Sequence, residues 1–139
     1  MFKNILLAVD GSNHALKAAR IAGEMARSLG ADLWVVTAYD PVPDYLGEPN
    51  LTAALRHRLA EADRVLEDAR REIGPTPEAL KTETLEGPAA EAILAVAGAR
   101  GNDLIVMGTR GLGRLAGLVL GSQSQKVTAH AVCPVLLVR

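Results

Sequence analysis

Residues 103–124 read DLIVMGTRGLGRLAGLVLGSQS, and the parsing of this stretch decides the fold. Leu104 to Met107 is an unbroken apolar run that stops at Gly108. Glycines follow at 108, 111, 113, 117 and 121, and the last leads into Ser122, Gln123 and Ser124. An apolar run without polar alternation predicts a strand covered on both faces, as in a parallel sheet. A glycine-rich connection from such a strand into a helix start is an arrangement that cradles phosphate. Free backbone N–H groups and the helix dipole both favour an anion there.

The rest of the chain supplies the partners of that strand. Ile5 to Val9 is a second fully apolar run, ended by Asp10-Gly11-Ser12. Ser12 or Asn13 is placed to cap a helix from about Asn13 to Leu29, with Leu16, Ile21, Met25 and Leu29 as its apolar stripe and alanines between them. Gly30 supplies its stop, and Leu33 to Tyr39 is the next strand. Asp40 to Asn50 carries three prolines and a glycine and predicts a surface loop, with Asn50 capping a helix over Leu51–Ile73. That helix has an apolar stripe from Leu51 to Ile73 and a face of alternating charges, which reads as solvated. Ala79 to Leu85 alternates and suits an edge strand. Gly87-Pro88 opens a helix with Ile93, Leu94, Val96 and Ala97 inward, ended by Gly101. A last helix runs from Ser122 to about Ala131, and Pro134 to Val138 is the fifth strand.

Strands alternating with helices in one domain over residues 1–139 predict an α/β fold. The fold class is an open five-stranded parallel sheet of order 3-2-1-4-5 with helices on both faces. Right-handed crossovers and a reversal after the third strand give that order. The first and fourth strands are then neighbours at the switch point, where ligands bind beyond the carboxyl ends of the strands. Asp10 and the turn from Gly108 meet in that crevice. Gly108 and Gly111 allow close backbone approach, and Gly121 and Ser122 start a helix with free N–H groups. Ser122 and Ser124 add hydroxyls, Arg110 and Arg114 add positive charge, and Asp10 offers a carboxylate to a ribose hydroxyl or a divalent ion.

Several function classes are excluded by pattern. The formal net charge is -1, against the basic excess of a nucleic-acid binder. No apolar run approaches the ~20 residues of a membrane span, and the first residues read as a strand rather than a signal peptide. A single cysteine, Cys133, fits a reducing, cytoplasmic setting and a buried place before Pro134. The P-loop pattern is absent, since Lys126 falls one place early after Gly121. The dinucleotide fingerprint fails because Gly117 comes one residue late. His14, His57 and His130 form no triad with a serine elbow, so no catalytic residue is assigned.

The spacing Gly108-x2-Gly111-x9-Gly121-Ser122 resembles the ATP-binding signature of the universal stress protein family. Ile5 to Ser12, Glu86-Gly87, Asp103 to Gly111 and Cys133 to Val138 are similar to that family's pattern in the same order. The resemblance implies the universal stress protein fold, akin to adenine nucleotide alpha hydrolases, and bound ATP with Mg2+ or Mn2+. It implies that Asp10, beside Val9, lies near the ribose, that Ala8 and Ala38 line the adenine pocket, and that Met107 ends the strand feeding the loop. Gly108 and Gly111 would meet the ribose and phosphates, with Arg110 and Gly113 beside them, and Gly121, Ser122, Gln123 and Ser124 would bind the phosphates. Gln123 departs from the small apolar residue usual there. The resemblance further implies a stress-response or signalling module that forms a homodimer through Val135–Val138. Two alternatives stand beside it. One is a slow ATPase or nucleotidyl-transfer enzyme, and the other an interaction module without nucleotide.

Overall fold

The computed structural model describes residues 1–110 and 120–139. Five strands, β1 (Asn4–Ala8), β2 (Asp32–Tyr39), β3 (Lys81–Glu86), β4 (Leu104–Gly108) and β5 (Val135–Val138), form one parallel sheet of order β3-β2-β1-β4-β5. Helices α1 (Asn13–Leu29) and α2 (Asn50–Ile73) connect the first three strands, and α3 (Ala89–Arg100) and α4 (Ser122–His130) lead into the last two. The order is the one expected from the alternation of apolar runs and helical segments.

The two faces separate along β1 by the period of two that a strand imposes. Ile5, Leu7 and Val9 join the layer under α1 and α2, while Leu6 and Ala8 join the layer under α3 and α4. In β4 the same alternation sends Val106 to the first layer and Ile105 and Met107 to the second. Ile5 to Ala8 and Leu104 to Met107 are therefore apolar at every position because neither face of these segments meets solvent.

Helix α1 buries a different face from the one its large residues suggest. Ala15, Ala18, Ala19, Ala22, Gly23 and Ala26 are buried, whereas Leu16, Ile21 and Met25 lie at the margin and Leu29 is exposed. Small side chains let α1 approach the sheet and α2 closely. A Cβ on Gly23 would stand 2.2 Å from the Ile73 carbonyl oxygen. Arg27 Nη1 donates to that carbonyl at 2.6 Å and to the Pro75 carbonyl at 2.7 Å, closing the C-terminus of α2 against α1.

Other boundaries move slightly. Ser12, not Asn13, caps α1, its hydroxyl oxygen accepting from Ala15 N at 3.2 Å. Asn50 is the first residue of α2 and not its cap; Pro49 precedes it and lends no side-chain bond. The loop before α2 contains a short 3-10 turn at Asp44–Leu46, and β3 begins at Lys81 rather than Ala79.

The amino end of the sheet is tied by polar groups. Asp103 accepts from Lys3 N at 2.9 Å and from Asn4 N at 3.1 Å. Asn4 in turn donates to the Arg100 carbonyl at 2.9 Å and accepts from Asn102 Nδ2 at 2.8 Å. Asp103 thus lies just before β4 and serves the rim opposite the switch point.

Candidate functional site

The carboxyl ends of β1 and β4 adjoin at the switch point, and the chain around them is fixed by short local bonds. After β1, Asp10 Oδ1 accepts from Ser12 N at 2.9 Å, and Gly11 takes a left-handed φ of 85° that completes the turn. Asp10 is half-buried, and its other oxygen has no hydrogen-bond partner among the described residues. After β4, Thr109 N donates to the Val138 carbonyl at 2.8 Å and Gly121 N to the Thr109 carbonyl at 2.6 Å. The second bond brings the start of α4 back to the end of β4. Ser124 holds it there, since its buried hydroxyl donates to the Gly108 carbonyl at 2.9 Å.

Gly108 owes its identity to packing. A Cβ at this position would stand 2.8 Å from His14 Cβ and 3.0 Å from the His14 carbonyl carbon. The close approach expected of this glycine is therefore to the first turn of α1. His14 Nδ1 also pairs with Thr109 Oγ1 at 2.9 Å, and Ser12 Oγ donates to the Arg110 carbonyl at 3.4 Å. These contacts bind the α1 turn to the β4 turn and make one rim of two segments distant in sequence.

Between them lies a cavity of about 250 Å3. Ala8, Val9 and Asp10 form one wall, and Met107, Gly108 and Arg110 another. Gly121, Ser122, Gln123 and Ser124 close the end at α4. Ala15, Ala89 and Ile93 complete the lining, so Ile93, expected only to face inward from its helix, also borders the cavity. Ala38 lies in a neighbouring hollow of about 470 Å3, which shares Asp10 with the cavity and is flanked by His57, Arg58 and Glu61 of α2. The expected residues Gly111, Gly113 and Arg114 lie outside the described residues.

The chemistry of the cavity is divided between its ends. Ala8, Val9, Ala89, Ile93 and Met107 make an apolar end suited to a flat ring. At the other end α4 begins at Gly121, which has no side chain to cap it. The first intrahelical bond runs from Gln125 N to the Gly121 carbonyl at 3.0 Å, so the N–H groups of Ser122, Gln123 and Ser124 have no partner among the described residues. Unspent donors at a helix start, with the dipole behind them, favour an anion. The Ser124 hydroxyl hydrogen, expected as a further donor to phosphate, is instead committed to Gly108, which leaves the exposed Ser122 hydroxyl for that purpose.

Among the described residues of the lining, Asp10 is the one group with a proton-accepting side chain of carboxylate, imidazole or amine type. No group of three or more His, Cys, Asp or Glu among the described residues is arranged to hold a metal ion. No helix among them is long and apolar enough to cross a membrane. Cys133 lies away from the cavity. Burial, and then the negative charge of Asp103, push its thiol above the ordinary range.

The comparisons with known proteins agree with this architecture. The model of the universal stress protein family matches residues 1–139. A universal stress protein of Thermus aquaticus is 57% identical over 140 residues, covering 100% of both chains. The structure of universal stress protein UspA from Lactobacillus plantarum superposes with a TM-score of 0.87 at 29% identity, covering 99% of this chain and 98% of that one. A universal stress protein crystallised in complex with cAMP superposes with a TM-score of 0.73 at 25% identity, covering 99% of this chain and 97% of that one. Sequence, sheet order and these matches lead to one assignment: the chain belongs to the universal stress protein family.

Proposed function

We propose that this chain is an ATP-binding universal stress protein, a module whose nucleotide state governs its conformation or its contacts, without efficient catalysis. The observation that carries the reading is the start of α4. Three backbone N–H groups without a partner among the described residues, those of Ser122, Gln123 and Ser124, open on a cavity whose other end is apolar. An adenine nucleotide has the matching polarity, with a flat base at one end and phosphates at the other. Its base and sugar lie against Ala8, Val9 and Met107, and its phosphates lie on the first turn of α4. The unpaired oxygen of Asp10 accepts from a ribose hydroxyl or reaches a Mg2+ or Mn2+ ion carried by the phosphates. A similar protein crystallised in complex with cAMP supports an adenine nucleotide as the ligand.

Rapid turnover is not part of the reading. Attack on a phosphorus centre needs a positioned base or water-orienting group, and Asp10 already spends one oxygen on Ser12 N. The module also pairs with a second copy through β5, whose outer edge has no strand beside it among the described residues and whose Leu136 is 37% exposed.

Calorimetric titration with ATP and Mg2+, together with assay of nucleotide released on denaturing the purified protein, tests the binding. Saturable binding is expected, and at a ligand concentration 100 times Kd the folded state gains about 2.7 kcal/mol. No heat and no thermal shift at millimolar ATP would sink the proposal. Light scattering of the wild type against Leu136→Asp tests the pairing, which fails if both are monomers.

A further inference from the structure

We propose that Gln123 is a specificity-determining residue of the nucleotide site, where its carboxamide is locked as a hydrogen-bond donor to the anionic end of the ligand. The proposal rests on the function given above. Helix α3 begins after Pro88, which supplies no side-chain cap, so the first N–H groups of α3 need acceptors from elsewhere. Gln123 supplies one from another helix: its Oε1 accepts from Ala90 N at 2.9 Å.

That bond settles which way the amide points. A backbone N–H pairs with the oxygen of a carboxamide and never with its NH2 group. Rotating the amide would set donor against donor at the positive end of α3. Nε2 therefore lies on the side away from Ala90. It has no partner among the described residues, and it is not sealed from solvent, since the buried side-chain polar atoms left unpaired there are Glu83 Oε2 and Asn102 Oδ1. Gln123 itself lines the cavity on the first turn of α4, between the unspent N–H groups of Ser122 and Ser124.

The side chain thus adds two N–H donors to a cluster of backbone donors, while its oxygen is turned to Ala90 N. A phosphate oxygen satisfies it, whereas a ligand without phosphate leaves it unused. The same residue holds α3, whose Ala89 and Ile93 line the apolar end. A residue that only held α3 would affect ATP and adenosine alike, since both present a base to the apolar end, and a donor to phosphate would not.

Two variants separate these roles. Q123E keeps an acceptor for Ala90 N and replaces the NH2 by a second, anionic oxygen. Q123M removes both functions at nearly constant length. Affinities for ATP and for adenosine are measured by calorimetry, with melting temperatures of the unliganded proteins alongside. Q123E is expected to melt at or above the wild type and to bind ATP at least tenfold more weakly. Q123M is expected to melt lower and to bind ATP about tenfold more weakly, the scale of one charge-assisted hydrogen bond. Adenosine should change less than twofold in either.

An ATP affinity equal to wild type in folded Q123E overturns the proposal, as does an equal loss for ATP and adenosine in Q123M. Should Q123M fold poorly, Q123E carries the comparison. A wild type that binds neither ligand overturns the functional reading and this one with it. A wild type that binds ATP alongside an unaffected Q123E overturns this one alone.

Discussion

Among the described residues two glycines, Gly23 and Gly98, lie within helices, and opposite outcomes are expected when each becomes alanine. By propensity alone either change should stabilise its helix by about 0.8–1.0 kcal/mol. Gly98, exposed on α3, has nothing within 4 Å of the added methyl, so it should keep that gain. Gly23, buried on α1, would place its methyl 2.2 Å from the Ile73 carbonyl oxygen and 2.9 Å from the carbonyl carbon. Ordinary contact begins near ~3.5 Å, so the end of α2 must retreat by more than about 1 Å. The obstructing atoms are backbone, and Ile73 is fully buried, so no rotamer change relieves the clash. Overpacking of this kind costs about 1–3 kcal/mol. The retreat also stretches the Arg27 bond to the Ile73 carbonyl, now 2.6 Å, and a hydrogen bond to a charged group contributes about 1.5–3 kcal/mol. The steric and bonding losses exceed the propensity gain, for a net destabilisation of about 2–4 kcal/mol. In a chain of 139 residues that lowers the melting temperature by about 6–15 °C, while Gly98→Ala raises it by about 2–4 °C. Scanning calorimetry of both variants, with urea midpoints at constant m-value, reads the difference. A Gly23→Ala protein as stable as the wild type would refute the argument that α1 and α2 meet through this glycine.

Three further outcomes follow from the two ends of the sheet and the lone thiol. Gly108→Ala should lose about 1–2 kcal/mol because the methyl meets the His14 Cβ at 2.8 Å; chemical denaturation checks the loss, and ATP titration should show weaker binding as the α1 turn shifts. Asp103→Ala removes the acceptor of Lys3 N and Asn4 N at the opposite rim, so stability should fall by about 2–3 kcal/mol with the ATP dissociation constant unchanged. Cys133 should react with iodoacetamide at pH 8 more slowly than a free thiol, because burial and then Asp103 disfavour its thiolate, and unfolding should abolish the difference. Its linked stability is full below the ordinary thiol range and falls as pH rises through the raised folded value, since the unfolded chain ionises first; denaturation midpoints across alkaline pH against Cys133→Ala measure this.

The sheet was legible because central parallel strands leave an unmistakable record. Ile5 to Val9 and Leu104 to Met107 are apolar at every position, and only strands with two covered faces need that. Glycine placement then located the switch point. The buried face of α1 was misread for a physical reason: large residues dominate hydrophobic patterns, but here the interhelical distance is set by Gly23 and the alanines. Side-chain commitments were illegible altogether. Nothing adjacent in sequence says that Ser124 gives its hydrogen to Gly108, or that Gln123 caps a helix 33 residues before it. Such bonds exist only once tertiary structure brings the partners together. Gly108 illustrates the ambiguity most plainly, since a glycine required by a neighbouring helix and one required by a ligand look identical in sequence.

The polar ties of Asp103, Asn4 and Asn102 are gathered at one rim of the sheet, and the cavity opens at the other. This partition has an evolutionary consequence. Turns at the carboxyl rim can accumulate substitutions that alter ligand preference while the amino rim continues to hold the strands in register. Robustness and innovation then fall largely on different residues, and they meet at Gly108 and Gln123, which serve both packing and the cavity. Within a lineage, divergence in what is bound should outpace divergence in thermal tolerance wherever those two positions are kept.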